Sequence, residues 1–534
     1  MIKLYCSTFF FLLSHLILSQ VSTQWVTSFE GDDYDELKNM TYTAEGDILV
    51  SCQYEGMIKV GDDTYNVESF SISTLIIKLN EDGQVIWSRD LHASAFAEVT
   101  IFKILPDPSG DFYVIGSVFG DEIDMDPGSA TSYVSAGEGD NIVVGKYDKD
   151  GNYIWANSYR FSATSDERGL DMDIDDNGNL YMVGYFDVSS NNNDDNMFLI
   201  SLDNQGEARW AYTALPTGRV DGFNSVAIKN NHIYVVGDFR GRGDFDNTEE
   251  GELILESTPD ESSTVIAKFD LTGAMVWIKQ LKGEGSVTGR SIIVNNNDEI
   301  YIGGSYGENI DFDPDEGTNI QDGFISEPFV LKLNSDGSFN WVWTYEGTQV
   351  RRVILADDGG VYFGGDGSTT FFGQLSNEGD VVFVTDLEYK NSPNSSNADL
   401  QGLVYDGNNG LAIGVDYFFG FQYDPDEQIV IESTGQSDIA IAKYNLQSTS
   451  TKDVEENIII THYPNPITNT LNVQWPELEV REIQVIDLNG HAIEKRPVAK
   501  NTVGIEMPFP YPAGIYIIQL NGETFSKSLK VTKF

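Results

Sequence analysis

Lys268-Phe269-Asp270-Leu271-Thr272-Gly273-Ala274-Met275-Val276-Trp277 holds the pattern that this chain repeats. An apolar strand runs into Lys, an Asp opens a turn, Gly closes it, and an aromatic residue follows four positions later. Further copies are Lys78-Leu79-Asn80 with Gly83 and Trp87, Lys146-Tyr147-Asp148 with Gly151 and Trp155, and Ser201-Leu202-Asp203 with Gly206 and Trp210. Lys332-Leu333-Asn334 with Gly337 and Trp341, and Gln374-Leu375-Ser376 with Gly379 and Phe383, complete the set. The first copy is only a second half, at Trp25. The last is only a first half, Ala440-Ile441-Ala442-Lys443-Tyr444-Asn445. A repeat split between two ends is how a circular array of sheets closes on itself.

Each unit carries a second signature in its middle, a polar turn followed by an apolar strand ending in Gly. Asn179-Leu180-Tyr181-Met182-Val183-Gly184, Asn231-His232-Ile233-Tyr234-Val235-Val236-Gly237 and Gly360-Val361-Tyr362-Phe363-Gly364-Gly365 are examples. Such strands suit a sheet buried on both faces with close backbone approach. About four strands per unit make one propeller blade, and seven units make seven blades. The expected fold is all-β, a seven-bladed β-propeller over 24–446 closed by pairing of its first and last strands. In it the repeated Trp fills the gap between neighbouring blades. A linear solenoid would have no reason to share a unit between its ends.

Composition agrees with an all-β chain rich in turns: 51 Gly, 26 Tyr and 30 Phe, with no long helical period. The 84 acidic and 32 basic residues give a net charge of −52. That surface repels nucleic acid and anionic membranes and attracts cations. Residues 1–23 read as a signal peptide, with Lys3 ahead of an apolar run from Phe9 to Leu18. No other stretch is apolar enough to span a membrane, so no transmembrane span is expected in the mature protein. Of the two cysteines, Cys6 lies in that leader and Cys52 is left alone, so packing rather than disulfides must hold the fold.

Residues 447–457 are rich in Ser, Thr and acids and read as a linker. Residues 458–534 then carry short alternating strands with Asn489-Gly490 and Asn521-Gly522 as hairpin turns, the texture of a small immunoglobulin-like β-sandwich. Tyr463-Pro464-Asn465-Pro466, Ile483 to Gly490, Ala513-Gly514-Ile515-Tyr516-Ile517-Ile518 and Lys527-Ser528-Leu529-Lys530-Val531 occur in order along it. With these motifs the tail resembles the type A C-terminal sorting domain of the Bacteroidetes type IX secretion system. The resemblance implies the secretion machinery as a partner, Tyr463, Pro464, Asn465, Pro466, Gly490, Gly514 and Lys530 as signal residues, and a destination outside the cell or on its outer surface. The body resembles the SBBP-like propeller repeats found ahead of such tails, which implies fold and location rather than activity.

One acidic pattern recurs, as Asp124-Met125-Asp126-Pro127-Gly128, Asp244-Phe245-Asp246-Asn247, Asp311-Phe312-Asp313-Pro314-Asp315 and Tyr423-Asp424-Pro425-Asp426. Alternate carboxylates at a turn suit a hard cation, which makes Asp124, Asp126, Asp311, Asp313 and Asp315 candidate calcium ligands. The competing reading is a strand exposing Asp to water and ended by a turn. Asp171, Asp173 and Asp175 alternate as well and read as the outward face of a strand. The body's two histidines, His92 and His232, show no paired spacing, so zinc and Ser-His-Asp sites are not indicated. The expected function is non-enzymatic binding or scaffolding of an extracellular protein or polysaccharide. The alternative is a hydrolase or lyase on polysaccharide with carboxylates at the channel mouth.

Overall fold

Apolar runs ending in Gly become strands here because their side chains pack on both faces of a sheet. Ile48–Tyr54 and Val361–Asp366 are buried along nearly their whole length. The computed structural model describes residues 21–68, 70–161, 166–187, 195–217, 222–246, 251–258, 260–367, 369–387, 398–418, 420–423, 430–446, 461–463, 470–475, 480–486, 492–500, 502–512, 514–521 and 526–533. These residues are all-β. They divide into a large unit within Ser19–Gln447 and a small one within Ser448–Phe534.

The large unit is a β-propeller. Its described residues form seven four-stranded antiparallel sheets, two of them extended by a short hairpin. In ring order the innermost strands are Asp35–Tyr42, Glu98–Pro106, Glu167–Ile174, Gly222–Lys229, Val287–Val294, Gln349–Leu355 and Ala398–Tyr405. Each packs on the next, and Ala398–Tyr405 packs back on Asp35–Tyr42. The last sheet takes its outer strand from the other end of the chain: Val21–Gly31 pairs with Asp438–Leu446, from Trp25 opposite Lys443 to Phe29 opposite Ile439. The pairing extends through Val21, Ser22 and Thr23, which the sequence reading placed in the leader. Val21 is buried, so the strand's apolar alternation begins there.

Every residue type of the repeat has a local job. Asp270 Oδ1 accepts the amides of Thr272 and Ala274 at 2.8 and 3.1 Å, which folds the turn. Buried or half-buried Lys side chains reach an acid in the first turn of their own sheet, as Lys146 to Asp107 at 3.0 Å, Lys332 to Glu299 at 2.9 Å and Lys443 to Asp406 at 2.9 Å. Gln374 replaces Lys and donates to Asp358 at 3.0 Å. The aromatic residue lies over the turn glycine of the next sheet: Trp25 on Gly83, Trp87 on Gly151, Trp155 on Gly206, Trp210 on Gly273, Trp277 on Gly337 and Trp341 on Gly379. At Gly273 φ is +88°, and a Cβ would sit 2.9 Å from the Trp210 ring, so both conformation and space demand glycine.

The small unit has a three-stranded sheet, Thr461–Tyr463, Thr470–Gln474 and Gly504–Pro508. Its second sheet orders Ala492–Pro497, Glu482–Ile486, Gly514–Asn521 and Ser526–Lys533. Leu471, Trp475, Val485, Phe509 and Ile518 fill its core. Tyr463, Gly514 and Lys530 lie in strands. Pro464, Asn465, Pro466 and Gly490, the linker 447–457 and residues 1–20 lie outside the described residues.

Gly359 also has positive φ, +84°, but open space at its Cβ position. Gly359→Ala is expected to cost about 1–2 kcal/mol from backbone strain alone. Gly273→Ala should cost a further ~1–3 kcal/mol from the Trp210 clash. Urea unfolding followed by Trp fluorescence separates the two. Equal losses would remove the ring–glycine contact as a packing constraint.

Candidate functional site

Each innermost strand carries a bulge at the same height, at Leu37/Asn39, Ile101/Lys103, Gly169/Asp171, Phe223/Ser225, Gly289/Ser291, Val350/Arg352 and Leu400/Gly402. A bulge bends the strand and re-aims its side chains. Around the axis this leaves a cavity of about 250 Å³, lined by Asn39, Lys103, Asp171, Ser225, Ser291 and Arg352 and by Leu403 of the last sheet.

Most polar groups here tie one sheet to the next. Asn39 accepts the Ile104 amide at 3.2 Å, Ser225 the Ile292 amide at 3.4 Å, and Ser291 the Val353 amide at 3.3 Å. Asp171 accepts from Ser225 Oγ at 2.7 Å and the Val226 amide at 3.1 Å, and pairs with Lys103 at 2.8 Å. Asp173 accepts the Ile228 amide at 2.7 Å, and burial pushes its carboxyl up to about 6. This corrects the reading of Asp171, Asp173 and Asp175 as a water-facing row. They sit on an innermost strand, where the first two join sheets, while Asp175 caps a turn by accepting the Asn177 and Asn179 amides. Arg352 donates through Nε to the Gln401 carbonyl at 3.1 Å.

Further acids hold the strand starts on the far side of the bulges. Asp366 accepts the Leu400 amide at 2.6 Å and pairs with Arg351. Asp416 accepts the Leu37 amide at 2.5 Å and the Gln401 amide group at 2.9 Å. Burial pushes Asp416 up to about 8, against the Leu37 amide and the Lys38 charge. At the ring's seam Asp35 is wholly buried, and its carboxyl oxygens meet no hydrogen-bond partner among the described residues. Burial first, then Asp438, Asp32, Asp33 and Glu55, push it up to about 9.

The candidate calcium ligands sit on two separate hairpins inserted between second and third strands. Asp124 Oδ1 accepts the Asp126 and Ser132 amides at 3.0 and 2.9 Å, and Asp126 Oδ1 the Gly128 amide at 2.8 Å. Asp311 repeats this with Asp313 and Asn319 at 3.1 and 2.8 Å, and Asp313 with Asp315 at 3.0 Å. Met125 and Phe312 between them are buried. Both hairpins clasp the preceding sheet's outer strand, His92 bridging Asp124 and Lys282 pairing with Asp311. A calcium ion at either turn would have to draw on the remaining carboxylate oxygens and on water. Among the described residues no group of three or more His, Cys, Asp or Glu is arranged for a metal.

The two faces of the ring differ. One carries only the tight turns joining first to second and third to fourth strands. The other carries the hairpins and the longer connections. The exposed Phe70, Phe96, Phe324 and Ile325 all belong to that second face.

Residues 461–533 match the family model described as a secretion system C-terminal sorting domain. The tail is a sorting domain. It marks the protein for the type IX secretion route, to the outside or the outer surface of the cell. No curated protein matches the chain. Among solved structures, the WD40 β-propeller domain of Doa1 is similar at 8% identity, covering 81% of this chain and 99% of that one, with a TM-score of 0.43. A protein of unknown function from Dyadobacter fermentans is similar at 10% identity over 80% and 100%, TM-score 0.40. The pyranose dehydrogenase PQQ domain from Coprinopsis cinerea gives 11% identity over 79% and 94%, TM-score 0.33. Likenesses this distant say nothing about activity or ligand.

The buried acids predict a pH dependence. Asp35 and Asp416 hold their protons in the folded chain at pH values where the unfolded chain has lost them. Stability is therefore full below the ordinary carboxylate range, falls as pH climbs through it, and levels off above about 9 and 8 respectively. Melting temperature should drop between about pH 5 and pH 9, and Asp35→Asn should flatten the drop. An Asp35→Asn profile parallel to the parent's would show that no proton is held there.

Proposed function

We propose that the protein is an extracellular, non-enzymatic binding protein whose loop-bearing face takes a protein or polysaccharide ligand after export. The observation that carries this reading is a pair of adjoining exposed aromatic rings on that face, Phe70 at 84% and Phe96 at 69%, with Phe324 and Ile325 at 79% elsewhere on it. Adjoining exposed apolar side chains mark interaction surfaces where single scattered ones do not.

Phe70 and Phe96 add a second mark. Both have positive φ, 65° and 63°, and their rings lie parallel at 6.1 Å. Ser71 fixes the arrangement, donating to the Ser94 carbonyl at 2.8 Å and accepting the Phe96 amide at 2.8 Å. A bulky residue in the left-handed region costs roughly 1–2 kcal/mol, and such strain concentrates at functional positions. The non-enzymatic half of the reading is supported by the carboxylates in and beside the channel. Asp171 and Asp173 in its lining, and Asp366 and Asp416 beyond the bulges, are committed to backbone amides of neighbouring sheets.

The test is binding of the full chain to an array of neutral and acidic polysaccharides and of extracellular proteins, with release of reducing ends measured on every polysaccharide retained. Replacing Phe70, Phe96 and Phe324 together by Ser should weaken binding by about 10-fold or more and leave reducing ends at background. Unchanged binding by the triple variant, or steady release of reducing ends, would contradict the reading.

A further inference from the structure

Two seams of the ring are built alike, and only one of them has an acid to meet its cation. In the outer strand of the fourth sheet Lys279 lies two positions after Trp277. It pairs with Asp315 in the hairpin that clasps that strand. In the outer strand of the first sheet Arg89 lies two positions after Trp87, against a hairpin of the same design. There the position of Asp315 is taken by Gly128.

The consequence is a cation without its carboxylate. Arg89 stacks over Trp87 at 4.9 Å and donates to the Ser88 and Asp150 carbonyls at 2.9 and 2.7 Å. Both of these bonds go from its terminal nitrogens to neutral carbonyls, and no carboxylate of the described residues pairs with it. Where the other seam is closed by an ion pair, this one opens as a cleft of about 330 Å³. That is the lower end of the size range of small-molecule sites. Tyr65, Ser88, Asp90, Asp126 and Asn152 share its lining with Arg89 and Gly128. Tyr65 and Ser88 share a hydroxyl bond of 2.6 Å, which fixes the aromatic ring.

We propose that this cleft binds a carboxylate-bearing sugar, a hexuronate unit. Its carboxylate takes the place of the missing Asp315 counterpart on Arg89, and its hydroxyls donate to Asp126, of which only Oδ1 is engaged, by the Gly128 amide; Asp90 is already held by the Tyr54 hydroxyl at 3.0 Å and His92 Nδ1 at 3.2 Å. A guanidinium recognises a carboxylate by directed, charge-assisted hydrogen bonds. Asp126 in the lining accepts from hydroxyl donors, and with Asp90 it disfavours a ligand that is anionic throughout. The aromatic face of Tyr65 suits the apolar side of a sugar ring. The site lies at the side of the ring, where hairpins of the loop-bearing face carrying Tyr65 and Asp126 meet the turn at Asn152; it includes none of Phe70, Phe96 and Phe324 and does not depend on the function proposed for them.

The test is saturation-transfer NMR and calorimetric titration of the full-length protein with glucuronate and galacturonate, with glucose and acetate as controls. A uronate should bind in the millimolar range, and glucose and acetate each about 10-fold more weakly or worse. Arg89→Gln should weaken uronate binding by about 10-fold or more. Gly128→Asp should do the same while holding or raising the melting temperature, because it restores the pair that closes the other seam. A Cβ at Gly128 would sit 2.9 Å from Asp126 Oδ1, so that carboxylate must shift slightly, as in the matching turn, where Asp315 keeps the same amide bond to Asp313. The triple loop-face variant should bind uronate as the parent does. No uronate binding, equal binding of glucose, insensitivity to both cleft variants, or loss in the loop-face variant would each overturn the proposal.

Discussion

Everything in the large unit depends on the two ends of one sheet meeting. Sheets packed face against face in a row leave an apolar face bare at each end, and a ring removes both. The strand Val21–Gly31 supplies the missing edge for Asp438–Leu446, burying Phe29, Ile439, Ile441 and Tyr444. The entropic cost of joining residues more than 400 positions apart grows only logarithmically, about 0.6 kcal/mol per doubling of the loop. Apolar burial along the strand readily exceeds that increment. Polar bonds then fix the register: Gly31 donates to Asp438 at 2.9 Å, and Ser437 donates to the Asp35 carbonyl at 3.0 Å.

Between the sheets the same few contacts recur. A tryptophan lies on the next sheet's turn glycine, a buried side chain accepts the next sheet's amide, and a hairpin clasps the strand before it. Around the axis Asn39, Asp171, Ser225, Ser291 and Arg352 all serve these joints, so the cavity's polar lining is largely structural. Variation is left to the connections on one face and to seams where a clasp lacks its ion pair. Rigid sheets presenting variable loops are the usual division between scaffold and recognition surface. The sorting domain at 461–533 delivers that scaffold outside the cell.

The repeat is legible in the sequence because its physics is local. A turn that needs Asp and Gly, and an aromatic residue at fixed distance, require no knowledge of the neighbouring sheet. The tail's motifs are local in the same sense. The acids resisted reading because their environment is set by partners far away in sequence. Asp171 looks like one member of an alternating surface row until the neighbouring sheet supplies the Val226 amide 55 residues on. Asp35 is buried by a segment 402 residues distant. The Asp124 and Asp311 turns read equally well as cation ligands or caps, since both uses ask for a carboxylate at the start of a turn. The cation pattern at the seams is local too: Arg89 and Lys279 share a place in the repeat, as do Gly128 and Asp315, and only the second seam keeps the acid.

Calorimetric unfolding of the body, residues 21–446, beside a truncation ending at Thr434, tests ring closure most directly. Closure predicts that removing Asp438–Leu446 abolishes the main cooperative transition, because the first and last strands lose their common sheet. A truncated body that melts with the parent's enthalpy and midpoint would contradict a closed ring.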